Sequence, residues 1–196
     1  MTDYEVVEKI EEHMEAIMDL LDIKRTPSNE GTPKRVAKMW ATELFENRNN
    51  RNIEELDNKM KVFPNEYEND VIIMRDIDFN SMCEHHWLPF SGKVTVAYVP
   101  DKSIIGLSKI PRVVRYFSKQ PTLQEKLCKD IGDYLFKKIE PQVIYVFATS
   151  THQCVKCRGA ESDCKTVTQY SVFDSMLTGE DLKILNDVVS KRVGVL

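Results

Sequence analysis

GKVTVAYV, residues 92–99, sets Val94, Val96 and Tyr98 against Lys93, Thr95 and Ala97. That two-residue period belongs to a half-buried strand. The run at 71–79 (VIIMRDIDF) is similarly rich in β-branched residues and predicts a second strand. Downstream the period changes. Ile110, Val113, Val114 and Phe117 predict a helix from Ser108 to about Lys119, and Leu123, Leu127, Ile131 and Leu135 form one row of a helix beginning at Thr122. VIYVFA (143–148) leads as a strand into THQCVKCRG (151–159), KTVTQYSVF (165–173) offers another, and Leu182, Leu185 and Val189 line a last helix starting near Thr178. A ββααββ order of this kind predicts an α+β fold with an antiparallel sheet.

Upstream the pattern is helical. Val6, Val7, Ile10, Met14, Ile17, Met18 and Leu21 recur at three- and four-residue spacing over residues 4–21. After the break TPSNEGTP, Thr32 is placed to cap a second helix with Pro33 at its first position, and Val36, Trp40 and Leu44 form its stripe. Residues 47–69 are polar and rich in turn signals, so the reading divides the chain into an N-terminal helical region, 1–69, and a compact domain, 70–196.

Composition narrows the function. A net charge of -4 lacks the basic surplus of a polynucleotide binder, while an anionic small ligand needs only a local basic pocket. No apolar run approaches the roughly 20 residues that span a bilayer, so no membrane partner is expected. The acidic start MTDYEVVEKIEEHM is unlike a targeting peptide, and a cytoplasmic location follows. Five cysteines, an odd number, suit metal binding or burial better than a disulfide framework.

Three of the four histidines sit beside cysteines in two clusters, Cys83-Glu84-His85-His86 and His152-Gln153-Cys154, the latter followed by Cys157. Thiolate and imidazole are the ligands zinc prefers. Three arrangements are open: plain buried core; a closed structural site of Cys83, His86, Cys154 and Cys157; or an open catalytic site with His85 and His152 left to move protons. Lys109 and Arg112 in LSKIPR, Lys156 and Arg158 in CVKCRG, and Arg35 and Lys38 in TPKRVAK form a basic set that is either solvated surface or an anion site. The first two lie in a helix's opening turn, which itself favours anions. Thr122-Leu123-Gln124-Glu125 matches a capping box, which would give Glu125 a purely local role.

SMCEHHWLPFSGKVTVAYVP (81–100), IIGLSKIPRVVRYFSKQPTLQEKL (104–127), THQCVKCRG and the upstream TPKRVAKMW (32–40) resemble GTP cyclohydrolase I in order and spacing over nearly the whole chain. The resemblance implies a tunnelling fold, an antiparallel sheet with helices on one side, assembled as a homodecamer with sites where subunits meet. It implies conversion of GTP and water to 7,8-dihydroneopterin triphosphate and formate. Cys83, His86 and Cys154 would hold Zn2+, and His152 would be the main proton carrier near N7 with His85 assisting. Gln124 and Glu125 would hold guanine, a carboxylate being suited to its N1–H and N2–H2 edge. Lys38, Lys109, Arg112 and Arg158 would contact the triphosphate, and Ser108 the ribose region. Cys157 stands outside that scheme; it would compete for metal, close the site or pack, and packing is the expectation. Another tunnelling-fold activity, such as a nitrile reductase or pterin synthase, and a non-enzymatic protein with closed zinc are the alternatives.

Overall fold

The computed structural model describes residues 1–67 and 71–193. The expected boundary at 69/70 lies outside the described residues. Helix α1 (Asp3–Leu20), α2 (Thr32–Met39), a π-helical turn (Trp40–Leu44), a 3-10 turn (Arg48–Asn50) and α3 (Ile53–Lys59) come first. Then follow β1 (Val62–Pro64), β2 (Ile72–Cys83), β3 (Pro89–Val99), β4 (Ser103–Ile105), α4 (Lys109–Ser118), β5 (Pro121–Thr122) and α5 (Gln124–Ile139). The chain continues with β6 (Val143–His152), α6 (Gln153–Lys156), β7 (Lys165–Phe173) and α7 (Gly179–Val193).

The main sheet has the order β5-β2-β3-β6-β7. Every pairing is antiparallel except the short parallel contact of β5 with Met82 and Cys83. Alternation along the strands divides their side chains between two cores. Val94, Val96, Tyr98, Ile144, Val146 and Ala148 meet Ile110, Val113, Val114 and Phe117 of α4 and Leu127, Ile131 and Leu135 of α5. Burial of such side chains, at roughly 1.5–3 kcal/mol each, fixes the helices on that face. Ala97, Val99, Val143, Tyr145 and Phe147 point the other way, onto Val189 of α7. The sheet thus carries α4 and α5 on one face, as expected, with α7 added on the opposite one; the side chain of Leu185 lies outside the described residues. Gly92 permits the close approach of β3 to β6, because a Cβ there would sit 1.9 Å from the Thr149 carbonyl oxygen.

Several local expectations are corrected. The N-cap of α2 is Gly31, and Thr32 is already its first helical residue. The polar joint contains α3, which buries Leu56, and its residues 62–64 pair with β4. The capping box at Thr122 does not form: Thr122 is drawn into β5 opposite Cys83, and α5 starts at Gln124 with Leu123 as an N-cap that gives no side-chain bond. Strands β2 and β3 are longer than 71–79 and 92–99, so β2 delivers Cys83 at its very end.

Candidate metal centre

Cys83 is buried, and the turn that follows it is closed by three backbone bonds. Trp87 N–H donates to the Cys83 carbonyl at 2.8 Å, Cys83 N–H to Leu88 at 2.9 Å and Glu84 N–H to Thr122 at 3.2 Å. The turn leaves His85 and His86 exposed, with ring centroids 6.2 Å apart. At the end of β6, His152 stands opposite Phe90 in register, and its ring lies parallel to that phenyl ring at 4.6 Å. Two residues further on, α6 presents Cys154.

The ligand atoms of Cys83, His86 and Cys154 all lie within 4.8 Å of one another. Tetrahedral bonds of about 2.3 Å to sulfur and 2.0–2.1 Å to nitrogen place ligand atoms about 3.3–3.8 Å apart, so the trio fits a zinc-sized ion with small side-chain adjustment. Two thiols and an imidazole are also a donor set of the right softness. Burial pushes the Cys154 thiol upward, its hydrogen bond with the Cys83 thiol adds to that, and the Arg158 guanidinium opposes it. Cys157 stands apart from the trio. It is exposed, against the expectation of packing, and its thiol donates to the Gln153 carbonyl at 2.9 Å.

Gln124 is 1 % exposed and its amide is saturated. Nε2 donates to the carbonyls of Ala148 (2.9 Å) and Thr166 (3.2 Å). Oε1 therefore faces Ser150, whose hydroxyl donates at 2.6 Å, and His152 Nε2 at 2.9 Å. Because Oε1 can only accept, His152 must carry its hydrogen on Nε2 in that contact, which leaves Nδ1 free. Burial lowers the pKa of His152, and the Glu125 carboxylate pulls the other way. Glu125 therefore acts electrostatically on His152 from the uncapped first turn of α5. Sequence reasoning grouped Gln124 with Glu125 and missed this network, whose partners lie on two strands beyond it in the chain.

Arg158 acts electrostatically on Cys154 of the trio, but other members of the basic set lie elsewhere. Ser108 and Arg112 line a cavity of about 590 Å3 with Arg115, Asn52 and Lys59, and that cavity contains none of Cys83, His86, Cys154 or His152. Lys109 is half-buried at the start of α4; Lys38 on α2 and Arg158 after α6 are exposed. Among the described residues, none of Lys38, Lys109, Arg112 and Arg158 is ion-paired.

An α+β chain whose sheet end joins a soft, three-residue donor set to a hydrogen-bonded spare imidazole defines an enzyme built around a candidate metal site. The chain belongs to the GTP cyclohydrolase I family, whose family model matches residues 10–183. It is 42% identical to the GTP cyclohydrolase 1 of a Sulfurihydrogenibium species over 89% of this chain and 87% of that one. It is 39% identical to the enzyme of Clostridium perfringens over 92% and 95%, and 40% identical to that of Blochmanniella pennsylvanica over 82% and 72%. Among solved structures, an archaeosine synthase QueF-Like protein in the apo form aligns with a TM-score of 0.43 and 16% identity, over 52% of this chain and 93% of that one. The chain is an α+β hydrolase of that family, and no described helix is long and apolar enough to cross a membrane.

Proposed function

We propose that this chain is a zinc-dependent GTP cyclohydrolase I that converts GTP and water to 7,8-dihydroneopterin triphosphate and formate, feeding pterin, folate and one-carbon metabolism in the cytoplasm. The observation that carries the reading is the convergence of Cys83, His86 and Cys154, with the Gln124-held His152 two residues before the last of them. When bound by those three residues, zinc supplies Lewis-acid activation of water at neutral pH. His152 carries a proton to N7 of the purine through Nδ1, making C8 electrophilic, while Gln124 holds the ring from its other nitrogen. His85, exposed on the metal turn, is the second proton carrier.

Glu125 accepts from N1–H and N2–H2 of guanine, a role favoured by its release from the capping box. Since the Gln124 side chain is fully engaged, its share in guanine binding falls to its backbone N–H in the uncapped first turn of α5. Lys38, Lys109, Arg112 and Arg158 meet the triphosphate, whose about four negative charges call for such a set, and Ser108 lies near the ribose.

Ser108 and Arg112 line a cavity that contains none of the trio, and Lys38 stands on α2, a separation that supports a site completed by other subunits of a homo-oligomer, a decamer in this reading. The sheet also offers edges for assembly: β7 exposes Val167 and Phe173, and β5 covers only Met82 and Cys83 of β2. Residues 1–69 and 70–196 are proposed as the helical region and the catalytic domain, and all five cysteines are free thiols, as a reducing compartment requires.

The test is incubation of purified protein with GTP, assaying formate and, after oxidation, a fluorescent pterin. Both should appear, vanish after chelation and return with zinc. Zinc-loaded protein that releases no formate refutes the proposal.

A further inference from the structure

Trp87 directly follows the candidate ligand His86 and has a left-handed backbone, φ 51°. For a bulky residue that conformation costs roughly 1–3 kcal/mol and persists only where the surroundings over-determine it. Its N–H closes the turn onto the carbonyl of Cys83, so the angle between two of the three ligands is set at Trp87. The sheet does not hold the indole. Trp87 is 48 % exposed and packs edge-on against Trp40 (5.4 Å, 83°) and Phe45 (5.2 Å, 66°), which stack on each other at 6.3 Å.

The π-helical turn explains how those two rings meet the third. Phe45 N–H bonds to Trp40 O across five residues at 3.0 Å. In an α-helix residues five apart point about 140° away from each other; the wider turn brings them to one side, a local irregularity that recurs at functional sites. The three rings form one wall of an apolar cavity of about 480 Å3 beneath α1. The metal turn thus leans on the N-terminal helical region.

We propose that Trp87, clamped by Trp40 and Phe45, is a positioning residue that sets the approach of Cys83 and His86 to the metal. The helical region is thereby an outer support of the metal centre. The inference rests on the metal reading above, and its consequence is a metal affinity that depends on a ring more than 40 positions upstream of the ligands it serves.

The experiment uses the full chain, stripped with a chelator and titrated with Zn2+ against a chromophoric competitor, with the visible spectrum of the Co2+ form as a readout of ligand geometry. Trp87→Ala should weaken zinc binding roughly 10- to 100-fold and alter the cobalt bands, whereas Trp87→Phe should stay within about threefold. Trp40→Ala should lose affinity in the same direction, and the double variant should be no worse than Trp87→Ala alone. Trp87→Gly separates ring from backbone: it relieves the left-handed strain but removes the indole, and should bind as weakly as Trp87→Ala. Circular dichroism verifies that each variant is folded. Wild-type affinity and unchanged cobalt bands in Trp87→Ala and Trp40→Ala, or tighter binding in Trp87→Gly, overturn the inference. A wild-type chain that takes up neither ion overturns the metal reading and this inference with it; normal uptake with indifferent variants overturns this inference alone.

Discussion

Replacing Gln124 with leucine distinguishes a residue that touches guanine from one that steers His152. Leucine nearly matches glutamine in volume, so no large cavity opens. The loss is polar: the Ser150 hydroxyl, 2 % exposed, and the Nε2 hydrogen of His152 both lose their acceptor. An orphaned buried donor costs about 1–3 kcal/mol. With His152 partly reachable by water, the sum is about 2–4 kcal/mol, a fall of about 4–16 °C in Tm for a chain of this size. With the imidazole no longer held, kcat should fall about 100-fold or more. KM for GTP should stay within about twofold, because only the side chain is changed and it is turned inward. Initial rates of formate release against GTP concentration, together with thermal unfolding of the same preparations, measure all three quantities. A large rise in KM with kcat intact would show that the amide reaches the base, and an unchanged Tm would deny that its hydrogen bonds matter.

Other perturbations follow from the same geometry. Glu125→Ala should abolish most of the preference for GTP over ATP, by about 100-fold for two charge-assisted hydrogen bonds, and should leave Tm almost unmoved because no capping box is lost; competition kinetics and melting curves check both. Cys157→Ser should retain full zinc content and turnover, its thiol being occupied with Gln153 outside the ligand trio; zinc loss on metal analysis would contradict that placement. Asp57 is held below the usual carboxylate range first by Lys138, then by Tyr134. A depressed folded-state pKa stabilises above the unfolded value near 3.9 and is lost as pH falls through the folded one. Asp57→Asn should therefore lower Tm at neutral pH, with the difference from wild type vanishing as the pH drops below about 4.

What could be read from the chain was what local chemistry decides. Alternation at 92–99 and 165–173 names strands because successive side chains point to opposite faces of a sheet, and along β7 only one of those faces is covered. The clusters that hold Cys83, His86 and Cys154 stand out because adjacent histidines beside cysteines are poor core material. Helix α3 was illegible because it is two turns long and buries a single residue, Leu56, which sets up no period. The capping box was misplaced for a different reason. Thr122 has the right neighbours, but its pairing with Cys83, thirty-nine positions back, outweighs a local cap. The pattern is satisfied instead at Thr2 and Glu5, where nothing long-range competes. The hold of Gln124 on His152 could not be foreseen, since it depends on carbonyls of β6 and β7 arriving beneath the start of α5.

Strand β3 runs between β2, which ends in Cys83, and β6, which leads to Cys154. The two halves of the donor set cannot be joined, then, by a nascent chain that has not yet threaded the strand between them. A slip of one position along β2 would turn Cys83 to the far face and take one of the three ligands from the site. On the zinc reading proposed above, metal content in a preparation would therefore report the molecules whose strands have paired in register, and uptake would come late in folding.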